Sequence, residues 1–246
     1  MFFLSFQTSF AEAPQAKSAI FQPVQSGRKN KRSNALVYPV LFLHIPKTAG
    51  STMHNIINEN YRLRFLKVHT NNLYRDPGVF TALNLKERQN IKAIKGHLNL
   101  SAYLDNYPGQ ITCFTFLRDP VKRCISDFNF IRQNKAHFFH KRLKEENYTL
   151  KKLLKEGSLK QFDNCHVRML ASAAQLKFGE VNEETYQLAL KIFDTHFELF
   201  GICERFDESL IHLKRSLGWN LPLYVRTNVT NKKQSVLEFD DETNEL

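Results

Sequence analysis

The chain contains few cysteines. It has four cysteines among 246 residues, and no two of them form a Cys-x-x-Cys pair, which argues against a zinc site and against a dense disulfide framework. We therefore expect buried, reduced thiols and no bound metal. No apolar run approaches the roughly 20 residues that a helix needs to cross a bilayer, so the sequence as it stands predicts no integral membrane segment.

Acidic residues are also in the minority. Lys and Arg outnumber Asp and Glu by 35 to 24, which gives a formal net charge of +11. Such an excess of positive charge favours an anionic partner. Nucleic acid, a nucleotide cofactor and an anionic polysaccharide all satisfy this condition, and charge alone does not choose among them.

Only the two ends have the composition of disordered segments. The 21 Phe and 8 Tyr of the chain indicate a folded domain, because so many aromatic rings would otherwise remain in water. We predict a disordered basic leader at residues 1–35, one domain at 36–235 and an acidic tail at 236–246. An alternative interpretation of residues 1–13 is the remnant of a secretory signal, although a basic start is missing.

Strand and helix patterns alternate through the predicted domain. Residues 36–44 and 110–117 are apolar runs typical of buried parallel strands, and further strands are expected at 65–69, 91–96 and 198–204. Asp119 and Pro120 have the residue types of a helix N-cap and first helical position. Helical patterns recur at 149–156, 162–174, 183–196 and 206–217. Together they predict a three-layer α/β domain with a central parallel sheet flanked by helices.

The turn after the first buried strand has the residues of a phosphate-binding loop. Lys47, Gly50 and three hydroxyl side chains lie where a helix begins, and backbone N–H groups at such a position bind anions. The nucleoside triphosphatase pattern GxxxxGK[ST] is absent because Lys47 precedes the glycine. ATP hydrolysis is therefore disfavoured.

Two segments together resemble the sulfotransferases that use 3′-phosphoadenosine 5′-phosphosulfate (PAPS). They are His44–Thr52 (HIPKTAGST) and Phe116–Ser126 (FLRDPVKRCIS), each after a predicted buried strand. The resemblance is closest to the carbohydrate branch that includes heparan sulfate 2-O-sulfotransferase, and it implies a P-loop-like sulfotransferase fold. In this family the first motif holds the 5′-phosphosulfate, with Lys47 neutralising the bridging oxygen, and the second binds the 3′-phosphate. The cofactor ligands implied in this way are Pro46, Lys47, Thr48, Ala49, Gly50, Ser51, Thr52, Arg118 and Ser126.

The resemblance also implies a catalytic base and an acceptor site. A His after a Gly takes the acceptor proton in the heparan branch, which assigns this role to His97, with His69 as the second candidate and a carboxylate such as Asp105 or Glu204 if neither acts. The branch has His-Gly-His where this chain has Lys95-Gly-His97. Two weaker assignments to the acceptor site are Asn164 and Arg168. Residues 226–233 resemble the loop that closes over the nucleotide, while Lys122 and Arg123 are expected to be solvated.

The sequence thus predicts a metal-independent sulfotransferase that moves the sulfuryl group of PAPS to a hydroxyl of a carbohydrate or polysaccharide. The alternatives are a non-catalytic basic module that binds an anionic polymer and a P-loop nucleotide phosphotransferase. We expect no nucleic-acid partner, since no RNA- or DNA-binding motif is present. The expected location is cytoplasmic or otherwise soluble, with the Golgi lumen as the alternative if an N-terminal anchor is missing from the chain.

Overall fold

The computed structural model describes residues 29–30, 33–36, 39–62, 67–71 and 78–220. The predicted nucleotide-closing loop at 226–233, the acidic tail and most of the leader lie outside these residues. A short antiparallel ribbon, β1 (Lys29–Asn30) with β2 (Ser33–Leu36), lies in the segment that composition predicts as a leader. No helix within the described ranges is long and apolar enough to span a membrane.

A parallel sheet of five strands forms the centre of the described domain. Its strands, in chain order, are β3 (Val40–Leu43), β4 (Lys67–Asn71), β5 (Ile91–Gly96), β6 (Thr112–Leu117) and β7 (Leu199–Ile202). Their spatial order is β4-β5-β3-β6-β7, and every neighbouring pair is parallel. The chain therefore leaves β3 toward one edge of the sheet and leaves β6 toward the other.

Ten α-helices occur within the described residues. They are α1 (Gly50–Ile57), α2 (Gly78–Thr81), α3 (Leu85–Asn90), α4 (Leu100–Leu104), α5 (Pro120–Gln133), α6 (His140–Glu145), α7 (Leu150–Glu156), α8 (Cys165–Leu170), α9 (Glu183–His196) and α10 (Phe206–Leu217). A π-helical turn, Asn58–Arg62, extends α1, and 3-10 turns lie at Lys160–Phe162 and Cys203–Arg205.

The alternation of side chains along β3 separates two hydrophobic layers. Leu41 and Leu43 pack in one cluster with residues of α4, α8 and α9, while Val40 and Phe42 pack in the other with residues of α1 and α10. All four side chains are fully buried. Helices therefore cover both faces of the sheet, which confirms the predicted three-layer α/β fold.

A third apolar cluster joins α5 to α6 and α7. Beside it, Arg123 is only 1% exposed, pairs with Asp127 at 3.4 Å and donates a hydrogen bond to the Gln161 carbonyl. The expectation that Arg123 is solvated was wrong. A buried guanidinium needs several acceptors, and only the folded chain brings the Gln161 carbonyl next to α5.

Several predicted elements are shorter than their sequence patterns, including the last strand, which is predicted at 198–204 and observed at Leu199–Ile202. The apolar run at 36–44 contributes only Val40–Leu43 to the parallel sheet, because Leu36 belongs to the ribbon. The helix predicted at 162–174 is reduced to Cys165–Leu170. Asn164 and Ser172 have φ angles of 49° and 53°, and residues in this left-handed region do not continue a right-handed helix.

Candidate active site

The parallel register brings the ends of three strands to one edge of the sheet. Leu43 lies opposite Gly96 on β5 and opposite Thr115 on β6. The residues that follow these strands, including His44, His97 and Arg118, therefore meet at this edge. Because the chain leaves β3 and β6 in opposite directions, a crevice opens between their carboxyl ends, where α/β proteins bind their ligands.

The turn from β3 to α1 exposes backbone donors to this crevice. Lys47 and Ala49 have φ angles of 68° and 61°, and the Thr48 hydroxyl donates a hydrogen bond to the Ile45 carbonyl at 2.7 Å. The first hydrogen bond of α1 runs from the Met53 N–H to the Ala49 carbonyl, so the N–H groups before Met53 precede the helical ladder. Left-handed residues before a helix N-terminus form a nest that fits a phosphate or phosphosulfate.

Gly50 is required in this turn because of a close approach. A Cβ atom at position 50 would lie 1.7 Å from Nε2 of His44. The glycine therefore lets the histidine after β3 pack directly against the start of α1. Among the predicted cradle hydroxyls, the Thr48 side chain is fully buried and Thr52 is nearly so, whereas Ser51 is exposed. Thr48 thus shapes the turn with its side chain and offers its backbone N–H to an anion.

The Lys47 amine lies against α5. Its Nζ atom lies 4.1 Å from the centroid of the Phe130 ring. Burial lowers the pKa of Lys47, Asp127 opposes this effect, and the positive charges of Arg118 and Arg123 reinforce it. Lys47 therefore lies near one carboxylate and two other cations, and an anion bound in the turn would favour its charged form.

Arg118 connects the two motifs directly. Its Nη1 donates a hydrogen bond to the Lys47 carbonyl at 3.0 Å, and its Nε lies 4.0 Å from the Glu204 carboxylate. Asp119 caps α5 by accepting from the Lys122 N–H, and Pro120 occupies the first turn, as predicted. Ser126 lies two turns along the same helix and is partly buried. The side of the crevice formed by β6 and α5 therefore has a basic group next to the Lys47 turn.

His97 has the tautomer required of a base. Its Nδ1 lies 2.6 Å from the His44 carbonyl, and because a carbonyl only accepts, this nitrogen carries the proton and Nε2 of the neutral ring does not. Burial lowers the pKa of His97 below 6.5, while the hydrogen bond to His44 partly opposes the shift. A neutral imidazole at pH 7 with one unprotonated nitrogen can accept a proton.

Two further histidines, missed in the sequence analysis, surround His97. The His44 ring stacks on His97 with centroids 4.2 Å apart, and His54 of α1 meets His44 edge to face at 5.1 Å. Burial and the neighbouring histidines lower the pKa of His44 well below 6.5, and burial and the charge of Lys95 lower that of His54 to about 4. The position of His44 directly after a predicted strand was the available signal for its place in the site.

Lys95 replaces the first histidine of the heparan-branch pattern. The side chain is 3% exposed, and Nζ donates to the Asn58 side chain at 2.7 Å and to the His54 carbonyl at 3.2 Å. The lysine therefore supports the end of α1, where carbonyl groups favour a cation. His44 occupies the place beside His97 that a supporting histidine would need.

The other candidate bases differ in position. The backbone pairs His69 with Ile94, so His69 lies two residues before the end of β4. Asp105 is an exposed residue after α4, and Glu204 lies beside the Arg118 guanidinium. Of these three, only Glu204 has a described side-chain contact with the predicted cofactor ligands.

Arg168 does not fit its predicted role at the acceptor site. It is 5% exposed and donates to the carbonyls of Asp163, Leu176 and Lys177 and to the Asp163 carboxylate. These bonds hold the segment after α8, so the guanidinium is used for structure. Asn164 donates to the Asp163 carboxylate at 2.8 Å and remains partly exposed. Within the described part of the chain, no group of three or more His, Cys, Asp or Glu side chains is arranged to hold a metal ion.

The fold and the site together define the class of the protein. The parallel sheet has an anion-binding turn at the point where the strand order reverses, and the end of a second strand beside this turn carries a basic residue. This arrangement is a P-loop-like nucleotide-binding fold. The chain belongs to the galactose-3-O-sulfotransferase family, since the model of that family matches residues 4–244. This confirms the resemblance to sulfotransferases and to their carbohydrate branch, although the matching family is named for galactose and not for heparan sulfate.

Two other comparisons complete this result. None of the curated proteins matches the chain. Among solved structures, that of a mouse sulfotransferase complexed with PAP is similar to this chain, with a TM-score of 0.45 and 16% sequence identity. The similarity covers 76% of this chain and 60% of the mouse chain. The chain therefore spans about 60% of the length of this structural neighbour.

Proposed function

We propose that the protein transfers the sulfuryl group of PAPS to a hydroxyl of a carbohydrate acceptor. One observation carries this proposal: the Arg118 guanidinium donates to the Lys47 carbonyl at 3.0 Å. This bond places the turn assigned to the 5′-phosphosulfate next to the strand end assigned to the 3′-phosphate. Together with membership of the galactose-3-O-sulfotransferase family, it supports PAPS as the donor and a galactose-containing glycan as the acceptor.

The chain's own residues divide the work of the reaction. The N–H groups before Met53 bind the phosphosulfate, and the Lys47 amine neutralises the charge that develops on the oxygen between phosphorus and sulfur. Arg118 and Ser126 bind the 3′-phosphate through charge-assisted and hydroxyl hydrogen bonds. PAPS supplies the activated sulfuryl group.

His97 accepts the proton of the acceptor hydroxyl at Nε2. The hydrogen bond from Nδ1 to the His44 carbonyl at 2.6 Å holds the ring in the tautomer that leaves Nε2 unprotonated. The stacked His44 ring keeps water from one face of His97. The residues that bind the donor and the residue that takes the proton therefore lie on the same edge of the sheet.

Nucleotide affinity tests the donor assignment. The desulfonated donor, adenosine 3′,5′-bisphosphate (PAP), should bind more tightly than 5′-AMP because only PAP has the 3′-phosphate. Arg118→Ala should remove most of this difference, at a cost of about 2–3 kcal/mol in PAP binding. The control is Arg132→Ala, which removes an exposed guanidinium from α5. Isothermal titration calorimetry measures both affinities.

The two alternatives predict other results in the same titration. A nucleotide phosphotransferase would bind ATP with magnesium more tightly than PAP and would lose activity in EDTA. A basic module that binds polymers would distinguish PAP from 5′-AMP only by their charge, with a difference in affinity that falls steeply with salt. Equal affinity for PAP and 5′-AMP in the wild-type protein would contradict the donor assignment.

A further inference from the structure

A row of aromatic rings leads away from the Lys47 amine across the surface of α5. The first ring is Phe130, whose centroid lies 4.1 Å from Nζ of Lys47. His137 meets Phe130 edge to face at 6.2 Å, and Phe138 stacks on His137 at 4.7 Å with an interplanar angle of 27°. We call Phe130, His137 and Phe138 the aromatic row.

The rings of this row are presented to solvent. Phe138 is 78% exposed and Phe130 is 43% exposed, which is unusual for side chains of this size. Neither ring belongs to the apolar cluster that joins α5, α6 and α7, which is formed by other residues. Contiguous exposed aromatic rings beside a reactive group indicate a binding surface.

The row is held in place by the loop between α5 and α6. The next residue, Phe139, is 5% exposed and packs edge to face on Tyr148 at 5.4 Å. Nδ1 of His140 donates to the Ile131 carbonyl at 2.9 Å, and the Asn134 side chain accepts from the Ala136 N–H at 3.1 Å. The exposure of Phe138 is therefore imposed by a loop that is anchored on both sides.

The row begins at the candidate site. Its first ring, Phe130, lies 4.1 Å from the Lys47 amine, and the Lys47 carbonyl accepts a hydrogen bond from Arg118 at 3.0 Å. The His44 ring, which stacks on His97, packs against Gly50 of the same turn. A ligand that lies on the row would therefore reach the lysine with the end that faces this turn.

We propose that the aromatic row is the acceptor subsite and binds a galactosyl ring by stacking. This inference rests on the proposed function. In β-galactosides the axial 4-hydroxyl leaves C–H groups of carbons 3, 4 and 5 on one face of the sugar, and this apolar face packs against an aromatic ring. The hydroxyls on the ring edge then remain free to face the turn that carries Lys47. Epimers with an equatorial 4-hydroxyl lack this continuous apolar face.

Binding of a simple galactoside tests the subsite. Wild-type protein saturated with PAP should bind methyl β-D-galactopyranoside more tightly than its glucose epimer, as measured by saturation-transfer NMR and titration. Phe138→Ala should weaken galactoside binding about fivefold to tenfold and abolish the preference over the epimer. Phe138→Trp should retain the galactoside affinity and the preference over the epimer, because the aromatic face is kept. Phe138→Leu should retain neither.

Phe200 offers a matched control, since it has the same 43% exposure as Phe130 but lies on β7, away from the row. Phe200→Ala should leave galactoside binding and PAP affinity unchanged.

Two results would overturn the subsite while PAP binding still supports the proposed function. One is unaltered galactoside binding in Phe138→Ala. The other is no binding of the galactoside to the PAP-loaded wild type at any concentration up to the solubility of the sugar. A loss of PAP affinity in Phe138→Ala would instead assign the row to the adenine base. If the wild type binds PAP no better than 5′-AMP, the proposed function itself fails.

Discussion

At the scale of single residues, the site depends on side chains whose protonation is controlled by burial. His97 is partly buried, and its pKa is lowered by that burial more than the hydrogen bond to the His44 carbonyl raises it. The ring is therefore neutral near pH 7 and becomes protonated only at a pH below its ordinary value of 6.5. Lys47 also has a lowered pKa, but from a starting value of 10.5. Near pH 7, His97 can therefore be a neutral base while Lys47 is a cation.

Replacing the base should affect turnover and not donor binding. His97→Ala should lower kcat by about a hundredfold, because general base catalysis contributes this much, while PAP affinity stays unchanged. In the wild type, kcat/KM should fall as the pH falls below 6.5, and this acidic limb should be absent in the variant. His212→Ala, which removes an exposed histidine of α10, is the control. If His97→Ala keeps wild-type turnover and His69→Ala does not, the base is His69.

Replacing the lysine should affect both steps. Lys47→Ala removes the cation that binds the phosphosulfate and stabilises the charge of the leaving group, so PAP should bind more weakly and kcat should fall by about a hundredfold or more. Lys122→Ala, which removes an exposed lysine from the first turn of α5, should change neither. If Lys47→Ala binds PAP weakly but keeps a normal kcat, Lys47 contributes to donor binding and not to the chemical step.

At the scale of secondary-structure elements, the site is built where β3 meets α1. The turn is closed by the Thr48 hydroxyl on the Ile45 carbonyl, and α1 approaches the sheet closely because residue 50 has no side chain. This close approach positions His44, whose carbonyl in turn orients His97. The geometry of one turn therefore determines both the anion cradle and the base.

A methyl group at position 50 should disturb this junction. Gly50→Ala places a Cβ atom 1.7 Å from Nε2 of His44, and overpacking of this kind costs about 1–3 kcal/mol of unfolding free energy. The double variant His44→Ala with Gly50→Ala should recover most of the loss caused by the methyl group, because the ring that it meets is gone. Urea denaturation of the wild type, the two single variants and the double variant measures this coupling. If the losses of unfolding free energy in the two single variants add up in the double variant, the clash with the His44 ring is relieved in another way.

At the scale of the whole molecule, several histidines are buried in the neutral form. The pKa values of His54 and His166 are lowered to about 4 by burial, and those of His44 and His97 are also lowered. The unfolded chain binds protons at these positions near pH 6.5, whereas the folded protein does not. The unfolded state therefore binds more protons between about pH 6.5 and pH 4.

Stability should accordingly fall as the pH is lowered through this window. The midpoint of urea unfolding should be highest at pH 7 and clearly lower at pH 5, because protons shift the equilibrium toward the unfolded chain. His54→Phe keeps an aromatic ring near Phe42 and removes one titrating group, so its loss of stability between pH 7 and pH 5 should be smaller. His212→Ala should show the wild-type loss. An equal loss in His54→Phe would mean that His54 is protonated in the folded protein.

The sequence by itself determined the two motifs and many of the longer elements, whereas four short helices were not predicted, namely Gly78–Thr81, Leu85–Asn90, Leu100–Leu104 and His140–Glu145. The helices Glu183–His196 and Phe206–Leu217 and the strand Ile91–Gly96 have the predicted bounds, since local periodicity and capping residues specify them. The cradle residues and Arg118 were predicted from short contiguous segments. Their position at strand ends followed from the rule that parallel strands place their carboxyl ends at one edge of the sheet.

Only the tertiary structure decided which distant side chains share the site and which are used for packing. The stack of His44 on His97 depends on the register of β3 with β5, and the burial of Arg123 depends on a carbonyl of the 3-10 turn. The Arg168 guanidinium donates its hydrogen bonds to carbonyl groups after α8. The row from Phe130 to Phe138 depends on the anchored loop between α5 and α6. Each of these contacts joins residues that no periodic pattern relates, because the packing of the elements and loops, and not the local preference of the chain, brings them together.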